Sequence, residues 1–317
     1  LVGQEHQQKV EHILSELDGL SNNDVFIQGE PGDQHASAFQ SFDHRLANEN
    51  SDDLPVVPKP DIDDLFGYIY TSGTTGLPKA AVVLNKRILS PGAMIGRGIL
   101  ALKPDDVVYI TTPLYHSVGM YLGWGSTLTT GACLALRRKF SATNFWDDVQ
   151  RFGVTAFVYI GELCRYLLNQ PEHPLERKHH LRIAAGNGLR PDIWESFQQR
   201  FQIPLIREYY GATEGNSMSI NFTGRAGMIG RLQLGSTLLR CDVETGEPYR
   251  NSEGYCEPSK VGETGLFVAK ILSAIPFDGY ADKAESKKKL LTDVFKKNDQ
   301  YFNSGDLMVL HEDKWLS

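Results

Sequence analysis

The chain has 317 residues, 41% of them hydrophobic and 22% charged, an ordinary globular composition with room for one large or two ordinary domains. Its formal charge of −7 is uneven: residues 1–64 hold 14 acids against 3 bases, and the remainder carries a net +4. The acidic head argues against nucleic-acid binding as the main activity, because phosphate contacts need a basic footprint, while the mildly basic remainder suits a small polyanion such as a nucleotide. Cys133, Cys164, Cys241 and Cys256 are widely spaced with no C-x-x-C pair, which fits reduced thiols of the cytosol better than a disulfide frame or a zinc site. The Asn221-Phe222-Thr223 glycosylation pattern then reads as a chance match.

Residues 1–30 predict a helix carrying Val10, Ile13, Leu14 and Leu17, then a short strand at Val25–Ile27. Residues 31–60 are rich in Asp, Asn, Ser and Pro and read as a linker or surface loop. From Asp61 strands and helices alternate. Strands are predicted at Leu65–Tyr70, Ala80–Leu84, Val107–Thr111, Cys133–Leu136, Val154–Ile160, Arg182–Ala185 and Leu205–Tyr210. Lys86–Leu102 reads as a helix that Pro91-Gly92 should bend or break. Val107–Leu136 has no charged side chain, yet its prolines, glycines and hydroxyls favour a buried core segment over a membrane span. Phe145, Trp146, Val149 and Phe152 form an apolar helical stripe, and Pro191 opens a further helix.

This alternation implies a layered α/β core with a mainly parallel sheet over residues 61–223. After Thr223, recurrent glycines between short β-type runs predict a smaller β-rich subdomain, residues 224–317. Within it Ala284–Lys297 reads as a basic amphipathic helix with Leu290, Leu291, Val294 and Phe295 inward. Its Lys287–Lys289 run reads as a solvated face, with contact to an anionic membrane as the less favoured reading.

The most informative segment is Tyr70-Thr71-Ser72-Gly73-Thr74-Thr75-Gly76-Leu77-Pro78-Lys79. Glycines let the backbone approach an anion closely, and backbone N–H groups with the Thr71, Ser72, Thr74 and Thr75 hydroxyls can donate to phosphate oxygens. Lys79 adds a mobile positive charge. The spacing is not that of the Walker loop, which has four residues between its glycines and Lys-Ser/Thr after the second; a plain Ser/Thr/Gly turn is the bland alternative. Downstream, Tyr209-Tyr210-Gly211-Ala212-Thr213-Glu214-Gly215 offers rings to stack on a purine, a glycine for close packing, a hydroxyl donor and a hard carboxylate for Mg²⁺. Gly186-Asn187-Gly188 ends a predicted strand, where ligands sit in open α/β sheets; its amide could read an adenine edge or simply form an Asn-Gly turn. Asp306, expected at a turn after a strand in Asn303-Ser304-Gly305-Asp306, could accept from both hydroxyls of a ribose.

Together these motifs resemble the adenylate-forming superfamily of acyl-CoA synthetases, luciferases and peptide-synthetase adenylation domains, in the family's order. Tyr159-Ile160-Gly161-Glu162-Leu163-Cys164-Arg165-Tyr166-Leu167, Gly186-Asn187-Gly188-Leu189-Arg190, Gly211-Ala212-Thr213-Glu214-Gly215-Asn216 and Pro276-Phe277-Asp278-Gly279-Tyr280 resemble the fatty-acid transport protein / very-long-chain acyl-CoA synthetase branch. The resemblance runs from about Asp61 to Leu310. It implies the layered α/β core of that superfamily's N-terminal domain. It also implies a two-step ligase using ATP, Mg²⁺ and coenzyme A, with a fatty acid as substrate. Glu214 would hold the metal. Thr71 to Gly76 with Lys79 would surround the phosphates, and Thr213 would donate to one. Tyr210, with Tyr209, would pack on adenine beside Asn187, and Asp306 would hold the ribose. His116 matches a position near the acyl carboxylate; a buried structural histidine is the plain alternative. Gly119–Gly125 and Val158–Gly161 would line the acyl tunnel.

Ser304-Gly305 stands where the family usually has Thr-Gly. The start at Leu1 and the end at Ser317 suggest a piece of a longer protein, residues 1–60 being the end of a preceding subdomain plus linker. The family's hinge motif and its C-terminal lid domain with the catalytic lysine are not in the sequence. The piece is therefore expected to bind nucleotide weakly and turn over little, and to be soluble. The parent is expected on the cytoplasmic side, peripheral to or associated with a membrane. A ligase for another apolar carboxylate (a bile acid or carnitine-type acid) and a fatty-acid carrier with little ligase activity are the alternatives.

Overall fold

The computed structural model describes residues 1–29, 39–49, 59–71, 77–272 and 276–317. They form two compact units, Leu1–Lys59 and Pro60–Ser317. In the first, three short parallel strands, Val2–Gly3, Phe26–Gln28 and Gln40–Ser41, carry a small core of Val25, Ile27 and Phe39. The Phe42–Ala47 helix beside them is capped by the Ser41 hydroxyl, which accepts from the His44 N–H.

The second unit is built on an eight-stranded sheet. In spatial order its strands are Trp315–Leu316, Gly230–Leu232, Met218–Asn221, Ile206–Gly211, Ile183–Asn187, Ala156–Ile160, Val107–Ile110 and Cys133–Leu136. The last five are mutually parallel, and the first three add on antiparallel. Alternate side chains serve opposite faces, as strand geometry requires. Tyr109, Phe157, Tyr159 and Ala184 pack under Phe145, Trp146, Val149, Cys164, Leu167, Trp194, Phe197 and Phe201 of three helices. Their neighbours Val108, Ala156, Val158, Ile183 and Ala185 pack under Ile88, Ile95, Ile99, Val118, Tyr121 and Leu122. Burial on both faces explains why these strands read as continuous apolar runs. The expected layered α/β core is thus present.

The uncharged stretch contains two strands, as expected, joined by a π-helical segment Val118–Gly125 and a short α-helix Ser126–Thr130. Val107–Ile110 is largely buried, but Cys133–Leu136 forms the edge of the sheet and leaves Cys133 and Leu136 exposed, which corrects the expectation of burial there. Among the described residues no helix is long and apolar enough to cross a membrane. Pro91 does not break its helix, which runs from Asn85 to Met94 and continues as a π-helical turn, Ile95–Ile99. The adjacent Gly92 explains the site: a Cβ there would stand 2.5 Å from the Gly125 carbonyl oxygen, so the two segments pack backbone to backbone.

A four-stranded antiparallel sheet, in the order Ser236–Leu239, Thr264–Lys270, Gln300–Val309 and Leu290–Thr292, lies within residues 224–317. Two strands of the same stretch, Gly230–Leu232 and Trp315–Leu316, belong instead to the large sheet. Two local expectations are corrected here. The helix predicted over Ala284–Lys297 stops at Lys288, and Leu290–Thr292 pairs with Gln300–Phe302 as a strand. Asp293 and Asn298 then take positive φ, while the Asp299 carboxylate accepts from the Val294, Phe295 and Lys296 N–H groups, so the chain turns back. Strand pairing and the burial of Val294 outweigh the helical propensity of the lysines. Second, Asp306 lies inside the Gln300–Val309 strand and not at a turn after it. The register against Thr264–Lys270 shifts between Leu266 and Val268, and Ser304-Gly305 bulges out with Gly305 at φ +83°.

Candidate functional site

The phosphate-loop sequence joins two strands of a hairpin, Leu65–Thr71 and Lys79–Leu84, whose last pair is Thr71 with Lys79. Ser72, Gly73, Thr74, Thr75 and Gly76 lie outside the described residues. The hairpin is tied to a distant segment: Val82 N–H donates to the Gly279 carbonyl and Ala281 N–H to the Ala80 carbonyl, each at 2.9 Å. This docks Tyr280 beside Lys79, with the ammonium 5.8 Å from the ring centroid.

Thr71 and Lys79 line a cleft of about 520 Å³ together with His116, Thr213, Glu214, Tyr280, Lys289 and Asp306. The hairpin ends, the acidic residue 214 and Asp306 therefore share one space, although they come from three separate parts of the sequence. Glu214 is 8% exposed, and its Oε1 accepts from the Tyr280 hydroxyl at 2.7 Å. Burial first, then that carboxylate, pushes the Tyr280 phenol well above its usual range, so it stays a donor. Lys79 is ion-paired to Glu285 Oε2 at 2.6 Å, and the ammonium neighbours Lys288 and Lys79 hold the Glu285 carboxyl below its usual value. His116 Nδ1 accepts from the Val118 N–H at 3.2 Å. The residue is exposed at the cleft and not a buried structural histidine, and partial desolvation of the ring lowers the imidazole's pKa, favouring its neutral form. Gly119, Gly123 and Gly125 of the expected tunnel are packed in the core; a Cβ on Gly123 would meet the Ile110 side chain at 2.0 Å.

Asn187, Gly188, Tyr209 and Tyr210 line a second cavity of about 540 Å³. Its wall meets the first cleft where the Tyr210 hydroxyl donates to Asp306 Oδ2 at 2.5 Å. Burial and that carboxylate push the Tyr210 phenol far above its usual range. Tyr209 and Tyr210, as successive strand residues, face opposite ways: Tyr209 packs with the helix-covered core, Tyr210 edge-on against Phe267. Asn187 Oδ1 is buried without a hydrogen-bond partner, an acceptor that an exocyclic amino group would satisfy. Gly186 and Gly211 are packing positions: a Cβ would meet the Tyr159 carbonyl oxygen at 2.1 Å and the Tyr209 hydroxyl at 2.3 Å.

Three supporting residues escaped the sequence reading. Tyr280 lay in a quoted motif but had no role. Arg87 donates to the carbonyls of Thr213 (3.0 Å) and Gly215 (2.7 Å) and pairs with Asp278 at 3.3 Å, fixing the loop that carries Glu214. Glu208, buried in the strand ahead of Tyr209, accepts from Gly188 N–H (2.9 Å), Leu189 N–H (3.1 Å) and the Tyr159 hydroxyl (2.6 Å). It thereby shapes the turn beyond Asn187. An acid on the same strand face as Ile206 was the available signal, since such residues are rarely buried without partners.

Burial outweighs these three donors and raises the Glu208 pKa to about 7. The native state then holds this proton more tightly than the unfolded chain, so its contribution is full below about pH 4.5 and is lost as pH rises through 7. The expected loss across that window is about 3 kcal/mol. Thermal unfolding from pH 4.5 to 8 should show this slope in the natural protein and a shallower one in Glu208→Gln. Identical slopes would refute it.

A profile of the family described as "AMP-binding enzyme" matches residues 3–263. Among curated relatives, long-chain fatty acid transport protein 6 of Mus musculus is 45% identical over 256 residues, covering 78% of this chain and 41% of that protein. Long-chain fatty acid transport protein 1 of Homo sapiens is 40% identical over 310 residues, covering 95% and 47%. The chain thus spans less than half the length of these relatives. Among solved structures, the anthranilate CoA ligase AuaEII in complex with anthranoyl-AMP superposes with a TM-score of 0.78 at 20% identity, covering 100% of this chain and 57% of that one. ATP-bound MatB from Rhodopseudomonas palustris gives 0.72 at 20% identity, covering 99% and 57%. Those structures share the fold; the profile, matched over most of the chain, settles the lineage, and the chain belongs to the AMP-binding enzyme family.

Proposed function

We propose that this chain is the large nucleotide-binding part of an ATP-dependent fatty acyl-CoA synthetase. The observation that carries the reading is the convergence of Thr71, Lys79, Thr213, Glu214 and Asp306 on one cleft, joined through Tyr210 to a second cavity beside Asn187. The relatives named as long-chain fatty acid transport proteins support a long acyl chain as the substrate.

The donor set fits each part of ATP. The Asn187 Oδ1 would accept from the adenine amino group, the Tyr210 ring would face the base, and Asp306 would take the ribose hydroxyls. Thr71 and Thr213 would donate to phosphate oxygens. Lys79 would exchange Glu285 for the β- and γ-phosphates. The fit to Mg²⁺ is that of a single carboxylate plus substrate phosphates: Glu214 faces the cleft, and among the described residues no cluster of three His, Cys, Asp or Glu side chains forms a complete protein cage. Mg²⁺ held on Glu214 would neutralise phosphate charge.

In the first half-reaction a fatty carboxylate oxygen attacks the α-phosphorus. The bond from that phosphorus to the bridging oxygen breaks, giving acyl-adenylate and pyrophosphate. Two anions must meet, so the chain's own contribution is to place cationic and hydrogen-bonding groups along the phosphates before the reaction. His116, at the mouth of the cleft in its neutral form, would orient the acyl carboxylate. In the second half-reaction the coenzyme A thiolate attacks the acyl carbon and AMP leaves. Fatty-acid-dependent exchange of pyrophosphate into ATP, measured with the full-length protein across C8 to C24 acids, tests the proposal. Exchange that rises with chain length is expected. No exchange with any fatty acid, or exchange only with a bile acid or carnitine-type acid, would overturn it.

A further inference from the structure

The Lys287–Lys289 run resembles a solvated face, and two of its members behave as one: Lys287 is exposed, and Lys288 bonds Glu285 within its own helix. Lys289 differs. It follows the last turn of the Lys283–Lys288 helix with φ −90° and ψ 4°, and its side chain turns into the cleft with only 26% exposure. Its Nζ donates to the Ser304 carbonyl at 3.0 Å and stands 3.8 Å from Glu214 Oε1, which is ion-pair range but too far for a hydrogen bond. An ammonium has three donors, so one is anchored and the others remain for the cleft. The Phe302 ring lies beneath it at 6.0 Å, and the Gly305 bulge closes the other side.

This places a positive charge between the metal-holding carboxylate and the bulge that presents Asp306. Both flanking acids repel a phosphate, and the cleft's other lysine, Lys79, is already paired with Glu285. We infer that Lys289 is a second cation for the phosphate chain of the nucleotide, anchored on Ser304 and swinging from Glu214 to a phosphate oxygen when the nucleotide binds. The inference rests on the nucleotide reading above and adds a binding residue to it.

A clip that merely holds the bulge would make a different prediction. Loss of a clip would displace Asp306 and weaken every ligand that carries a ribose. Loss of a phosphate contact would weaken only ligands that carry phosphate. Calorimetric titration of the full-length protein with ATP and with adenosine separates the two. For Lys289→Met we expect ATP to bind about tenfold more weakly and adenosine within twofold of the natural protein. Lys289→Arg should recover most of the ATP affinity, and Lys287→Met should change neither ligand. Equal weakening of ATP and adenosine, or no change in either, would overturn the assignment to Lys289 while leaving the nucleotide site in place. Failure of the natural protein to bind ATP at all would overturn the nucleotide reading and this inference together.

Discussion

Glu214→Gln is expected to reduce fatty-acid-dependent pyrophosphate exchange by about 10²–10³-fold, with little change in the unfolding temperature. The substitution keeps the side chain's volume, and the amide oxygen can still accept from the Tyr280 hydroxyl, so the packing of this 8%-exposed position survives. What disappears is the negative charge facing the cleft. A neutral amide is a poor ligand for a hard divalent cation whose remaining partners are phosphates and water. Tyr280→Phe provides the internal comparison: it removes the donor that orients the carboxylate but leaves the charge, so a loss of about tenfold is expected, with Glu214→Gln the more severe. If Glu214→Gln exchanged pyrophosphate at the natural rate, the metal assignment would fall. If the two variants were equally impaired, orientation and not charge would be the dominant contribution.

The core of the large unit could be read from local pattern because it is dictated locally. The alternation of Val108 with Tyr109, and of Ala156 and Val158 with Phe157 and Tyr159, sends side chains to two helical layers, and a strand buried on both faces leaves a continuous apolar run. Short motifs singled out Lys79, Thr213, Glu214 and Asp306 by the chemistry each carries, and these four candidates share one cleft. The reading failed where pairing partners lie far away in sequence. Leu290-Leu291 has the composition of a helix face and becomes a strand because Tyr301 and Phe302 lie alongside. Ser304 to Asp306 reads as a turn and is a bulge inside a ten-residue strand, held by Ser304 Oγ donating to the Phe267 carbonyl and accepting from the Asp306 N–H. Arg87, Glu208, Tyr280 and Lys289 act on groups 126, 20, 66 and 75 residues away in the chain. No local period can encode such contacts.

Among the described glycines, Gly161→Ala is expected to be the most damaging added methyl, lowering stability by about 3 kcal/mol or more and disabling nucleotide binding in whatever fraction still folds. Gly161 opens the Gly161–Leu168 helix directly after the Ala156–Ile160 strand. A Cβ there would stand 1.7 Å from the Gly188 carbonyl oxygen, 2.1 Å from its carbon and 2.6 Å from the Leu189 nitrogen. All three are backbone atoms, so no rotamer change can relieve the overlap. Gly188 cannot move freely either: its N–H and that of Leu189 are bound by the buried Glu208, and its φ of +79° is one that residues with a side chain rarely adopt. The strain would therefore pass to the turn beyond Asn187, a residue that lines the proposed adenine cavity. Thermal unfolding and adenosine titration of the same variant should report both effects. An unfolding midpoint within a degree of the natural protein would mean that the two backbone segments separate readily and that the proposed nucleotide cavity has no rigid base. Gly98→Ala is the matched control: a Cβ there meets nothing within 4 Å, its φ is not in the left-handed region, and the helix-like setting favours alanine, so stability should hold or rise slightly.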